Sequence, residues 1–166
     1  MAYRNKTYIA FDGDNDMQYY RLMTAWSAHE GFDFEIHNAH DLNMARDSSQ
    51  EENIKRQLRE RFANSKLFLV LIGESTRFLT KFVKWEIETA IRLDLPIIGI
   101  NINGSRGRDE RCPLSMRDAL AIYVPFNEKI ITHAMKNWPS SHAKYSKDEK
   151  SGPYHYKDET YRSLGL

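Results

Sequence analysis

Two periods of apolar residues alternate along the chain, and their order predicts its architecture. Thr7-Tyr8-Ile9-Ala10-Phe11 is a short run of β-forming residues. The turn chemistry of Asp12-Gly13-Asp14-Asn15-Asp16 closes it, so a buried strand is expected from about Lys6 to Phe11. Met17 to His29 follows as a helix with a partial apolar face at Tyr20, Met23, Thr24 and Trp26, and Gly31 stops it. Phe32 to His37 alternates apolar and polar, as a sheet-edge strand does. Asn38 to Gln50 is polar and irregular, longer than the usual strand-to-helix connection of about 2–6 residues. Ser48 or Ser49 then caps a charged helix that runs to about Ala63. Lys66 to Ile72 is the most apolar run, too short for a buried helix and suited to a central parallel strand. Leu79 to Arg92 reads as a helix, Pro96 to Ile102 as a buried strand, Ala119 to Val124 as a last strand and Glu128 to Trp138 as a last helix.

Strand and helix therefore alternate, which implies an α/β fold with helices on both faces of a parallel sheet. The expectation is a flavodoxin-like three-layer sandwich, its five strands in the order 2-1-3-4-5 with the amphipathic second strand at an edge. Residues 1–138 form this domain. Residues 139–166 are a polar extension carrying Tyr145, Tyr154, Tyr156 and Tyr161. It is either loosely ordered or draped over the domain or a partner.

One acid breaks the pattern. On a wheel of about 100° per residue, Leu79, Phe82, Val83, Ile87, Ala90 and Ile91 fill one arc. Lys81, Lys84, Glu88 and Arg92 face away, but Glu86 falls inside the apolar arc, about 40° from Phe82. A carboxylate there is paired, exposed through a cleft, or used. Trp85 lies off the arc and is expected to be an assembly contact. In the predicted strand order the ligand crevice opens between the carboxyl ends of strands one and three. Phe11, Asp12, Gly13 and Asn15 follow strand one. Gly73, Glu74, Ser75 and Thr76 follow strand three and lead into the helix of Glu86.

Charge and composition narrow the partners. The chain carries 24 basic and 23 acidic residues, so no global field argues for nucleic acid or an anionic membrane. One cysteine, Cys112, leaves no intrachain disulfide framework and no cysteine-based zinc site. The amino terminus lacks a signal-peptide pattern and no run reaches the roughly 20 apolar residues of a membrane span, so a cytoplasmic protein is expected. Asp12, Asp14 and Asp16 resemble a metal or phosphoacceptor cluster, yet a receiver domain needs an aspartate where this chain has Ile72-Gly73. His37 and His40 lack further metal ligands. There is no P-loop, no GxGxxG after the first strand and no GxSxG elbow.

Residues 6–138 resemble a Toll/interleukin-1 receptor (TIR) domain, and more closely the TIR-like family that includes the TIR subunit of bacterial Thoeris anti-phage systems. The resemblance rests on Tyr8-Ile9-Ala10-Phe11-Asp12, on Phe68-Leu69-Val70-Leu71-Ile72-Gly73-Glu74-Ser75, and on Phe82-Val83-Lys84-Trp85-Glu86-Ile87 followed by Pro96-Ile97-Ile98-Gly99-Ile100-Asn101-Ile102. The family writes Trp where this chain has Phe82.

Enzymatic members cleave NAD⁺ at the nicotinamide–ribose bond, and their catalytic glutamate falls on Glu86. Thoeris-type members make ADP-ribose-derived signals, often cyclic, that activate an effector during phage infection. The resemblance thus implies NAD⁺ as substrate, no separate cofactor or metal, self-association, and an effector reached through a diffusible nucleotide. Phe82 would wall off water and Phe11 would stack on a base or on nicotinamide. Asp12, Gly13 and Asn15 would hold polar parts of the substrate, with Ser75 on ribose or pyrophosphate. Asn43 and Arg46 in the long loop would complete the site, Arg46 on the pyrophosphate. Two other functions stay open: an adaptor module of the same fold without chemistry, and a nucleoside deoxyribosyltransferase-like enzyme, which shares the build and a catalytic glutamate. Each residue also has a structural role available to it: Phe11 as core, Ser75 as a turn residue, Arg46 as a solvated charge.

Overall fold

A computed structural model describes residues 6–29, 36–38 and 51–166. The expected central strand is β3, Leu67–Ile72, every residue of it buried. On one side it pairs in parallel with β1 (Thr7–Ala10), which pairs in turn with β2 (Ile36–Asn38). On the other side lie β4 (Ile97–Asn101) and β5 (Ala121–Pro125), also parallel. The order 2-1-3-4-5 is present, with strand two outermost at that end.

The sheet does not end at five strands. Pro153–His155 adds β6 in parallel to β5, with Tyr154 opposite Ile122, giving a six-stranded sheet. The polar composition hid this strand, because an edge strand of three residues needs no apolar run.

Helices cover both faces. α1 (Met17–His29) and α4 (Glu128–Lys147) lie over the face of Ile9, Leu69, Leu71, Ile98 and Ile100, with Met23, Ile130, Ala134 and Trp138 in the shared core. α2 (Glu51–Ala63) and α3 (Phe82–Arg92) cover the face of Tyr8, Phe68, Val70 and Ile72. The spacing of Ile54, Leu58 and Phe62 is the buried stripe of α2.

The last long helix was expected to end at Trp138, before Pro139, but α4 runs through Pro139 to Lys147. Proline removes one helical hydrogen bond. Packing on both sides of it outweighs that loss. Trp138 is buried, and Tyr145 stacks on Tyr154 of β6 at 4.8 Å. His142 Nε2 donates to the Asp94 carbonyl at 3.0 Å, and the Ser146 hydroxyl donates to the Asp94 carboxylate at 2.8 Å. A short helix, α5 (Asp158–Ser163), then buries Tyr161, with the Arg106 guanidinium 4.0 Å above its ring. The tyrosines of residues 139–166 therefore drape onto the domain itself.

α3 begins later than its periodicity suggested. Thr76–Phe78 forms a 3₁₀ turn, Leu79 extends the chain, and the helix starts at Phe82. Ile91, expected in the core, is 39% exposed. It sits in the last turn of the helix, which ends at Arg92. Trp85 is half-buried against α2, edge-on to Phe62 at 6.0 Å with the Lys55 ammonium over its ring. It therefore has packing partners within the chain on the side that faces α2.

Candidate active site

The loop after β1 is a tight polar turn built around Asp12. Its Oδ1 accepts from the backbone N–H of Asp14 at 3.0 Å, and its Oδ2 accepts from the Asn15 side-chain amide at 2.7 Å. The loop after β3 is fixed by Thr76, whose hydroxyl accepts from Gly73 N–H at 2.9 Å and donates to the Leu71 carbonyl at 3.3 Å. Both carboxyl ends face the same rim, as the strand order requires.

A cavity of about 380 Å³ opens there. Phe11 to Asp14 line one side, and Phe78 to Val83 the other. The first turn of α3, whose N–H groups have no helical partner, faces this space beside Lys81. Such a terminus attracts phosphate. Lys81 is not wholly free for that role, since its Nζ lies 3.2 Å from Glu51 Oε2 at the start of α2.

Glu86 lies one turn further along α3, only 2% exposed, and does not line the cavity. Phe82 and Val83, one turn earlier on α3, do line it. Burial pushes its carboxyl up from 4.5 to about 8, partly offset by the phenol of Tyr8 on β1. Neither the Tyr8 hydroxyl nor Glu86 Oε2 has a well-formed hydrogen bond, although the two groups act on each other. At neutral pH the carboxyl is therefore mostly protonated in this state. A cation placed in the cavity would favour its ionisation.

The site residues expected from the sequence divide into groups. Phe11, Asp12, Gly13 and Phe82 meet at the cavity, while Glu86 is buried one turn along α3 from Phe82. Phe11 is 6% exposed and stacks on Tyr20 at 4.7 Å, so one face of its ring is already occupied. Asp12 is buried and spent on its own turn. Asn15 and Ser75 are not in this cavity. They line a second one of about 290 Å³ on the other side of the turn, with Asp16, Tyr19, Gly73 and Arg111. Asn43 and Arg46 lie outside the described residues. Leu79, Thr80 and Lys81 line the main cavity without having been expected there. Tyr8 was missed as the partner of Glu86. Its one signal was a tyrosine in a fully buried strand, whose hydroxyl needs company.

Residues 8–107, more than half of the chain, match the family described as Thoeris protein ThsB, TIR-like domain. The chain belongs to that family. The match runs from Tyr8 in β1 through β4 and takes in both rim loops and α3 with Glu86. No curated protein matches the chain. Among solved structures, a 2-deoxyribosyltransferase from Bacillus psychrosaccharolyticus is similar, at 13% identity and a TM-score of 0.47 over 60% of this chain and 74% of that one. A likeness that weak carries no argument about this TIR-like chain. Among the described residues no helix is long and apolar enough to cross a membrane. Nor do three or more His, Cys, Asp or Glu side chains converge there to hold a metal.

Proposed function

We propose that this Thoeris-family TIR-like domain consumes NAD⁺, cleaving the nicotinamide–ribose bond and releasing an ADP-ribose-derived, cyclic signal for an effector in anti-phage defence. The observation that carries the reading is Glu86: a buried carboxyl on α3, one turn after Phe82, which lines a cavity at the sheet's switch point. Nicotinamide leaves as a neutral base from a cationic glycoside, so no acid is needed for the leaving group. What the reaction needs is negative charge beside an oxocarbenium-like ribose, in a site that excludes water. Glu86 supplies the charge once it ionises, and the cationic ring of the substrate favours that ionisation. Phe82 must turn aside for the carboxylate to reach the ribose, so the present arrangement is a resting one. The α3 terminus suits the pyrophosphate.

The burial of Glu86 also favours a second reading, an adaptor of the same fold with no chemistry. The test is nicotinamide release, followed by chromatography at high protein concentration with NAD⁺. Wild type should release nicotinamide, and Glu86→Gln should not. Turnover undiminished in Glu86→Gln would refute the catalytic assignment. No release by wild type at any concentration would favour the adaptor. Base exchange with deoxynucleosides, and none with NAD⁺, would indicate a deoxyribosyltransferase-like enzyme.

A further inference from the structure

Packing accounts for the ring of Tyr8 but not for its hydroxyl. Tyr8 is fully buried in β1, its ring stacked on Phe62 of α2 at 4.0 Å and tilted against Phe68 of β3 at 5.8 Å. A phenylalanine would make the same two contacts and would spare the core a buried polar atom, which costs stability unless it is hydrogen-bonded. Helix α3 packs against this strand. Val83 and Ile87, on either side of Glu86, share the core of Tyr8, and Phe62 meets Trp85 edge-on at 6.0 Å. There the phenol and the Glu86 carboxyl act on each other. Neither the Tyr8 hydroxyl nor Glu86 Oε2 has another hydrogen-bond partner among the described residues.

The surroundings decide which group donates. Burial holds the proton on the phenol and the neighbouring carboxylate holds it further, against a weaker pull from Arg61 of α2. The phenol is therefore the donor and the carboxylate the acceptor. Among the described residues no cation acts on Glu86, and the phenol is the one group that favours its charged form. A lysine or arginine in that place would lock the acid into a permanent buried ion pair. A neutral donor leaves it uncharged at rest and supports the charge when it forms.

We infer that Tyr8 is the positioning residue of Glu86: its phenol keeps its proton, donates to the carboxylate and holds that charge in an otherwise apolar core. Tyr8 lines neither rim cavity, so it acts through Glu86 rather than on a substrate. Its effect on turnover rests on the NAD⁺ reading above. The pairing of the two side chains does not.

The test is Tyr8→Phe in the full chain, which keeps the ring stack and removes the donor. Carbon-13 NMR of labelled glutamate follows the Glu86 carboxyl, identified by its absence from Glu86→Gln. It should titrate at about 8 in wild type. Loss of a hydrogen bond to a charged group corresponds to about tenfold or more, so the midpoint in Tyr8→Phe should lie at least about one pH unit higher. Nicotinamide release should follow it. At pH 7, kcat/KM of Tyr8→Phe should be about tenfold or more below wild type, with the gap closing as pH rises past the new midpoint. A loss equal at every pH would mean that Tyr8 acts by packing alone and would overturn the inference. So would a Glu86 midpoint that stays in place or falls. Should Tyr8→Phe fail to fold, wild type decides. The ring carbon bearing the Tyr8 hydroxyl should move with the Glu86 midpoint and stay still in Glu86→Gln, and a carbon that ignores that midpoint overturns the inference. The NMR arm needs no turnover. A displaced Glu86 midpoint in a protein that leaves NAD⁺ intact would keep the pairing and refute the catalytic reading.

Discussion

Glu86→Gln should make the protein more stable, and increasingly so as pH rises. The carboxyl ionises near 4.5 in the unfolded chain and at about 8 in the folded one. Between those values the folded state holds more protons than the unfolded state, so stability falls as pH rises through that window. The distance between the two, at about 1.4 kcal/mol per pH unit, sets a ceiling of about 5 kcal/mol above pH 8. The same linkage gives a loss of about 1 kcal/mol at pH 5 and about 3 kcal/mol at pH 7. Glutamine has the shape of the protonated acid and no charge to desolvate, so it escapes this loss. Asp16, whose carboxyl burial and the Asp12 charge raise to about 6, acts in the same direction. It is present in both proteins and cancels in the difference.

Urea unfolding at pH 5, 7 and 8.5, followed by circular dichroism, measures the gap. It should widen steadily, and at pH 7 a gain of about 3 kcal/mol corresponds to roughly 6–12 °C in melting temperature for a chain of this size. A smaller alkaline gap would mean that turning Phe82 aside costs less than ionising a dry carboxyl, which is the movement catalysis needs. A gap that stays constant from pH 5 to 8.5, or reverses, would refute the burial argument. If the same variant gained stability and lost nicotinamide release, the acid would be retained for chemistry at the expense of the fold.

Gly99→Ala in β4 should cost about 1–3 kcal/mol by overpacking, because a Cβ there would meet the Tyr123 ring at 2.6 Å. Thermal melting checks it, and Tyr123→Leu in the same chain should recover part of the loss. Truncation after Lys147 removes β6 and α5, uncovering Trp138, Tyr145 and the β5 edge. It should lower the melting temperature by at least 10 °C or leave the protein insoluble, since losing one buried aromatic side chain already costs about 3–5 kcal/mol. A soluble, unshifted truncated chain would show the extension to be dispensable.

The sequence revealed those parts of the fold that depend on local periodicity. The strand ending at Ile72 and the stripe of Ile54, Leu58 and Phe62 are buried as their spacing requires. The acid in the apolar arc of α3 is likewise buried. The misses share a cause, which is that a residue's local pattern and its long-range partner disagree. Pro139 marks a helix end by its own chemistry, but Asp94, nearly fifty residues earlier in the chain, holds His142 and Ser146 in helical register beyond it. Tyr154 looks like one residue of a polar tail, but it stacks on Tyr145 and pairs with Ile122. The wheel placed Glu86 on the correct side of α3 without setting its depth. Depth comes from packing against the sheet, where Tyr8 of β1 meets it, and depth raises the carboxyl's pKa. Asn15 and Ser75 were correctly placed at the switch point, yet the turn locked by Asp12 divides that rim into two cavities and puts them in the one without Glu86.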